Sequence, residues 1–230
     1  MLLKTHIRRH ERGLLFHRGD FERLLLPGEH WLLGRLVHPA AYKVEVADTL
    51  KTKFEHPMLD VLLEHKGHLR DALHVVDLSD TERALVWKDG RLAYIVGPGR
   101  HAFWKQPHRL AVETFDVSAF RFTHARLATI LQHPQATQWL DGVQVEAGSE
   151  ALLYRDGVLV ERLGEGLHVY WKHTGKVRFK SVDLREQVAD VSGQEIITSD
   201  KVTLRVNLLV NWQVTDPVLS ATVVSDAAQA

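Results

Sequence analysis

The chain has 230 residues, 45% hydrophobic and 25% charged, the balance of an ordinary soluble globular protein. Lys plus Arg equals Asp plus Glu at 29 each, so no global field draws in nucleic acid or holds the chain on an anionic membrane. The absence of cysteine excludes disulfides, Cys-ligated zinc, iron–sulfur clusters and thiol catalysis.

The N-terminal stretch "MLLKTHIRRHERG" lacks the apolar core of a signal peptide. The longest apolar runs, such as Leu24-Leu25-Leu26 and Leu208-Leu209-Val210, fall far short of the ~20 residues a membrane helix needs. Along the chain, one pattern then recurs. Gly19, Gly90 and Gly157 are each followed, at the same interval, by Gly28, Gly99 and Gly166, and then by His30, His101 and His168. An aromatic precedes each first glycine: Phe16, Trp87 and Tyr154. Apolar type is kept at Leu14/Leu85/Leu152, Leu15/Val86/Leu153 and Phe21/Leu92/Leu159. Trp104-Lys105 matches Trp171-Lys172, and Asp48, Asp116 and Asp183 close the units. The period is about 70 residues, which predicts three tandem copies of one unit.

Each unit reads as a hairpin, a return strand and a helix. Asp89-Gly90 and Asp156-Gly157 lie between apolar runs and suit a type I′ turn, whose two central residues need positive φ. Arg18-Gly19 is the weaker form of the same signal. In the connecting segments, Leu59, Leu62 and Leu63 match Leu127, Ile130 and Leu131 at i, i+3, i+4 spacing, the apolar face of a short helix. A unit of this size can hold a small core of its own, so a string of small domains is expected rather than a continuous solenoid. The third copy departs after Asp183. From Val202 to Val214, Val, Leu and Trp alternate with mostly polar residues, which predicts a long, half-buried antiparallel strand ended by Asp216-Pro217. Such a strand is a candidate for pairing across subunits where its edge is free.

No constellation carries chemistry. His65 and His68, with Glu64 and His74 nearby, are the best metal or metal-hydrolase candidate. Gly67 interrupts them, and the spacing is not that of a His-Glu-x-x-His helix. No Gly-x-Ser-x-Gly is present, and the glycines of "GPGRH" precede a strand rather than a phosphate-binding helix. The recurring histidines are read as packing behind their glycine turns, and each Trp-Lys pair as a core ring beside a surface-lying lysine stem. No catalytic, cofactor-binding or metal-binding residue is assigned, no cofactor is expected, and the chain is read as a non-enzyme.

The third copy and its tail carry a more specific pattern. "SEALLYRDGVLVERLGEGLHVYW" is followed by Val182-Asp183-Leu184-Arg185 and by the run Gln194-Glu195-Ile196-Ile197-Thr198-Ser199-Asp200-Lys201-Val202. Together with Asp216-Pro217, over residues 148–220, this resembles the SPFH (Band 7) superfamily, in particular its stomatin/slipin branch. The upstream copies resemble partial duplications of the same domain's first half. The resemblance implies a β-rich α+β fold: tandem small domains with curved antiparallel sheets and packed short helices, the last of them SPFH/Band 7-like. The expected divisions are 1–78, 79–146 and 147–230.

The resemblance also implies a role: a non-enzymatic, self-assembling scaffold that organises membrane microdomains or regulates membrane proteins. Its implied partners are further copies of itself, membrane lipids and a membrane protease or channel, with no nucleic acid. The implied location is cytoplasmic and peripheral at the membrane, with no transmembrane segment in this chain. Family members usually open with a membrane-inserting segment, where tandem copies stand here. They usually continue into a long helical region, so a chain shortened before that region is expected. The alternative is a ligand- or peptide-binding module using clefts between tandem domains, lined by His30, His101 and His168.

Overall fold

The structure, a computed structural model, describes residues 2–33, 42–64 and 68–223. The chain divides into two compact units, Met1–Val117 and Ser118–Ala230.

The first unit opens with β1 (Leu2–Ile7), β2 (Glu11–His17), β3 (Asp20–Leu25), β4 (Gly28–Leu33) and β5 (Tyr42–Asp48). These form two antiparallel sheets, β1–β4 and β3–β2–β5. A linker follows, with the short strand β6 (Lys53–Phe54) and helices α1 (Leu59–Glu64) and α2 (Leu69–Ala72). The plan then repeats with β7 (Leu73–Leu78), β8 (Glu82–Lys88), β9 (Arg91–Val96), β10 (Gly99–Trp104) and β11 (Leu110–Asp116), in sheets β6–β10–β7 and β11–β8–β9.

The second unit carries α3 (Leu127–Leu131), α4 (Ala136–Trp139), β12 (Leu140–Val145), β13 (Ser149–Arg155), β14 (Val158–Leu163), β15 (Gly166–Trp171) and β16 (Val177–Asp183). Its sheets are β12–β15 and β14–β13–β16. A two-stranded ribbon, β17 (Gln187–Ile197) with β18 (Thr203–Trp212), and the helix α5 (Pro217–Val223) complete it. The fold is therefore β-rich α+β, built of several small sheets.

The hairpins β2–β3, β8–β9 and β13–β14 are alike in backbone detail. Their central residues have positive φ in pairs: Arg18 and Gly19 at 54° and 95°, Asp89 and Gly90 at 50° and 81°, Asp156 and Gly157 at 52° and 86°. These are the type I′ values the Asp-Gly signal predicts, and Arg18-Gly19 adopts them too. The strand register slips at the same place in all three, between Leu15/Phe16, Val86/Trp87 and Leu153/Tyr154. The bulge leaves Glu22, Ala93 and Val160 unpaired opposite the hairpin and adds local twist.

Each set of five strands encloses a small core of its own. Ile7, Leu15 and Leu25 pack together with Tyr42 and Val44. Val76, Ala84, Val86, Val96 and Phe103 do the same in the second set, and Val145, Ala151, Leu153, Leu163 and Tyr170 in the third. A five-stranded sandwich of this size buries too little to stand alone. Within the first unit, the outer hairpin residues Leu14, Phe16, Phe21 and Leu24 therefore join a larger shared core. Its other side is Leu62 and Leu63 of α1, Leu69, Phe54, and Ala102 and Trp104 of β10. The two five-stranded sets of the first unit are thus fused through one core, where the sequence reads as separately cored units. α1 earns its place through the Leu59/Leu62/Leu63 face; in the second unit Ile130 of α3 is buried in the same role.

Candidate functional site

The recurring histidines are the first candidates, and each is committed to its own turn. His30 Nε2 lies 2.6 Å from the Leu26 carbonyl, His101 Nε2 2.9 Å from that of Gly97, and His168 Nε2 2.8 Å from that of Gly164. In every case the imidazole N–H closes a loop onto the carbonyl four residues back. That ties the bend at Gly28, Gly99 or Gly166, whose φ values of 138°, 110° and 120° suit glycine.

The turn aspartates do related work. The Asp89 carboxylate accepts from the Arg109 backbone N–H at 2.9 Å and lies 2.8 Å from His108 Nδ1, and Asp156 accepts from the Lys176 N–H at 2.8 Å. Each fastens its hairpin tip to the start of the next strand. The bond from Arg109, and then His108, holds the Asp89 carboxyl below the usual carboxylate range.

The Trp-Lys pair joins the linker to the following strand. Trp104 and Trp171 are each 2% exposed, with Phe54 and Phe122 edge-on at 5.1 and 4.8 Å. The Trp104 backbone N–H donates to the Thr52 carbonyl and the Trp171 backbone N–H to the Phe120 carbonyl, at 2.8 and 2.9 Å. Lys105 Nζ donates to the Asp71 carbonyl and Lys172 Nζ to that of Thr137, near the ends of α2 and α4 where helix carbonyls lack partners.

The linkers therefore clip onto the outer edge of β10 and β15. β6 pairs Phe54 with Ala102 and Lys53 with Phe103, and Arg121 bridges Tyr170. The clip carries a further repeated element. His56 stacks near Phe54 and its Nδ1 accepts the Met58 N–H; His124 stacks near Phe122 and its Nδ1 accepts the Arg126 N–H. The signal was present in the sequence as Phe-x-His at the same offset in both linkers, but it reads there only as helix lead-in.

Two shallow clefts flank β6, of about 430 and 400 Å³. His101 lines the larger with Arg100, Lys53 and Glu55, and His56 lines both. His101 is already hydrogen-bonded to its own turn, and His56 lies 3.1 Å from Glu45 Oε2. Of the metal candidates, His65 and Gly67 lie outside the described residues. His68 is 89% exposed beside Asp71, and His74 sits on β7. Among the described residues no group of three or more His, Asp or Glu is placed to hold a metal ion. No helix among them is long and apolar enough to cross a membrane.

The ribbon β17–β18 is the remaining candidate, and it corrects one expectation. The alternation over 202–214 does form a strand, Thr203–Trp212, but it is exposed rather than half-buried. Leu204 is 48% exposed, Leu208 51% and Val210 45%, with Ile196 51% across the ribbon. The reason is topological: β18 pairs with β17, and no third strand among the described residues is hydrogen-bonded to this pair. Leu204, Val206, Leu208 and Val210 share one face with Ile196, Val191 and Ala189, while Arg205 opposes Glu195 on the other. The first face is the more apolar and is uncovered, and Leu209, Val188 and Ile197 lie on the other, 74%, 64% and 72% exposed.

The SPFH domain / Band 7 family matches residues 143–230, the span that holds this ribbon. Through that region the chain is similar to the stomatin-like branch of that family. Similar curated proteins are a stomatin homolog of Pyrococcus horikoshii and one of Pyrococcus abyssi. Each is 40% identical over 82 residues, which cover 36% of this chain and 30% of the relative. The chain thus spans about three tenths of the length of the relatives it matches. No solved structure matches it. The SPFH region takes in the third hairpin, with the Asp156-Gly157 turn, and the whole ribbon.

Proposed function

We propose that this chain is a non-enzymatic, self-assembling scaffold of the stomatin/slipin type, built of three tandem modules and acting peripherally at a membrane. There it organises lipid microdomains or regulates membrane proteins such as a protease or channel. The observation that carries the reading is the uncovered apolar face of the ribbon inside the SPFH-matched residues. An apolar face of this length in water marks a surface meant to be covered. The similarity of this span to stomatin homologs and to the SPFH domain supports assembly as the use of that surface. The engagement of His30, His101 and His168 with their own turns takes away the main motive for a ligand site lined by them. The neutral balance of 29 basic and 29 acidic side chains supports protein or lipid contacts over nucleic acid.

The test is the mass of the chain in solution, by light scattering and sedimentation, with and without lipid vesicles. Growth of mass with concentration, and co-sedimentation with vesicles, are the expected outcomes. A monomer under every condition, indifferent to lipid, would rule the reading out.

A further inference from the structure

The strand that ends each glycine bend (β4, β10 or β15) is completed differently in the three copies. β10 lies between β7 and the clip strand β6, and β15 between β12 and the clip residue Arg121. β4 pairs with β1 alone among the described residues. The register shows the equivalence: Ile7 opposes Gly28, Leu78 opposes Gly99, and Val145 opposes Gly166. Beneath a clip, the residue three beyond the glycine is buried: Ala102 is 0% exposed and Val169 2%. Its counterpart on β4 is Trp31, 55% exposed, with Lys4 Nζ over its ring at 5.1 Å. A bare strand edge flanked by a large exposed aromatic is an acceptor for another strand.

The chain also carries a strand fitted to that edge. The clips begin four residues after a unit's closing aspartate, at Thr52 after Asp48 and at Phe120 after Asp116. The same interval after Asp183 reaches Gln187, the first residue of β17. The internal clips set a phenylalanine, Phe54 or Phe122, against a small residue, Ala102 or Val169. The residues at the start of β17 are Gln187, Val188, Ala189 and Asp190, with no aromatic. Opposite Trp31 the sizes are exchanged. A phenylalanine-bearing clip would crowd the indole, whereas β17 leaves room for it. One edge of β17 is taken by β18; the other is open among the described residues, with Val188 64% exposed.

We infer that the free edge of β17 in one copy of this chain adds to the free edge of β4 in the next. The inference rests on the self-assembly reading above and gives it an order. The contact joins two different surfaces, so it runs head to tail and generates a closed ring or a filament rather than a twofold dimer. It extends between chains the strand-on-edge clip that joins the copies within one.

The test uses the whole 230-residue chain with Trp31→Glu or Ala189→Pro; Ala189 stands two residues after the start of β17, as Phe122 does after Phe120, so in the same register its N–H is the donor that meets β4. Far-UV circular dichroism and thermal unfolding establish that each variant is folded, and Ala189→Glu replaces the proline if the ribbon is disturbed. In sedimentation velocity each variant alone is expected to self-associate roughly thirtyfold more weakly than the parent chain, the scale for an aromatic interface anchor. Mixed one to one, they restore a single intact contact and form a dimer that grows no further. Because the chain has no cysteine, Trp31→Cys in one chain and Ala189→Cys in another, the pair placed opposite each other by the clip register, give a second readout. A disulfide-linked dimer is expected from the mixture and not from either chain alone. If both variants assemble like the parent, this contact is wrong while the scaffold reading stands. If Trp31→Glu alone blocks assembly, a symmetric β4 contact replaces it. A parent chain monomeric at every concentration overturns both readings.

Discussion

The repeated sandwiches and the ribbon β17–β18 are made from the same kinds of residue and meet opposite fates. In the sandwiches, Leu153 is 0% exposed; in the ribbon, Leu209 is 74% exposed. Both lie on antiparallel hairpin strands, the first closed by the two-residue Asp156-Gly157 turn and the second by a five-residue loop with Lys201 at positive φ. What differs is the number of layers. Each sandwich sheet faces a second sheet, whereas the ribbon faces none among the described residues. Burial is therefore a property of what stacks on a strand and not of its own alternation. The parts of this chain that hold it together are the repeated ones, and the part left to hold something else is the one that departs from the repeat.

That contrast can be broken most directly by making one substitution in both places. Leu153→Ala is expected to destabilise the chain by about 2–5 kcal/mol, the cost of a cavity in a closed core. Leu209→Ala is expected to stay within about 0.5 kcal/mol in the isolated chain. Urea unfolding at low protein concentration measures both, and equal effects would erase the distinction. A smaller loss is expected at the turns. Gly90→Ala and Gly157→Ala place a side chain at φ of 81° and 86°, which costs about 1–2 kcal/mol. Neither glycine has an atom within 4 Å of where a Cβ would stand, so the loss reports backbone strain alone.

Next in size is the histidine tie. His101→Ala and His168→Ala are each expected to lose about 1 kcal/mol, one hydrogen bond to a turn carbonyl, in thermal unfolding. Neither should alter self-association, and a large change there would reopen the ligand reading of those residues.

The smallest effect is on the acid limb of stability. The Arg185 side chain, then its backbone N–H, brings the exposed Asp183 carboxyl from 3.8 down to about 2. Asp89 is lowered as well. A carboxyl held low in the folded chain adds stability that is complete above its unfolded value. That stability fades as pH falls through the folded value. Unfolding midpoints should therefore decline between about pH 4 and pH 2, and Asp183→Asn should flatten part of the decline.

The hairpins, their turns and the amphipathic faces of α1 and α3 were legible because each rests on local chemistry: paired positive φ, or apolar spacing over one or two turns. The SPFH resemblance was legible for a related reason, since Gln194 to Val202 and Asp216-Pro217 form one continuous stretch. The leading strands β1, β7 and β12 were not, because their pairing with β4, β10 and β15 spans some twenty residues or more and leaves no local periodicity. The clip of β6 on β10 was hidden for the same reason. Two residues of strand carry no pattern of their own, and only the approach of Trp104 to Phe54 gives them meaning.

By itself the sequence determined that one unit is written three times, where each hairpin turns, and which family its last third resembles. These follow from backbone sterics and from residues near one another along the chain. Tertiary structure alone decided which carbonyl each histidine binds, that a core is shared across the two copies in the first unit, and that the long ribbon stays exposed. Such outcomes depend on which surfaces meet, and that is settled by contacts between residues far apart in the chain.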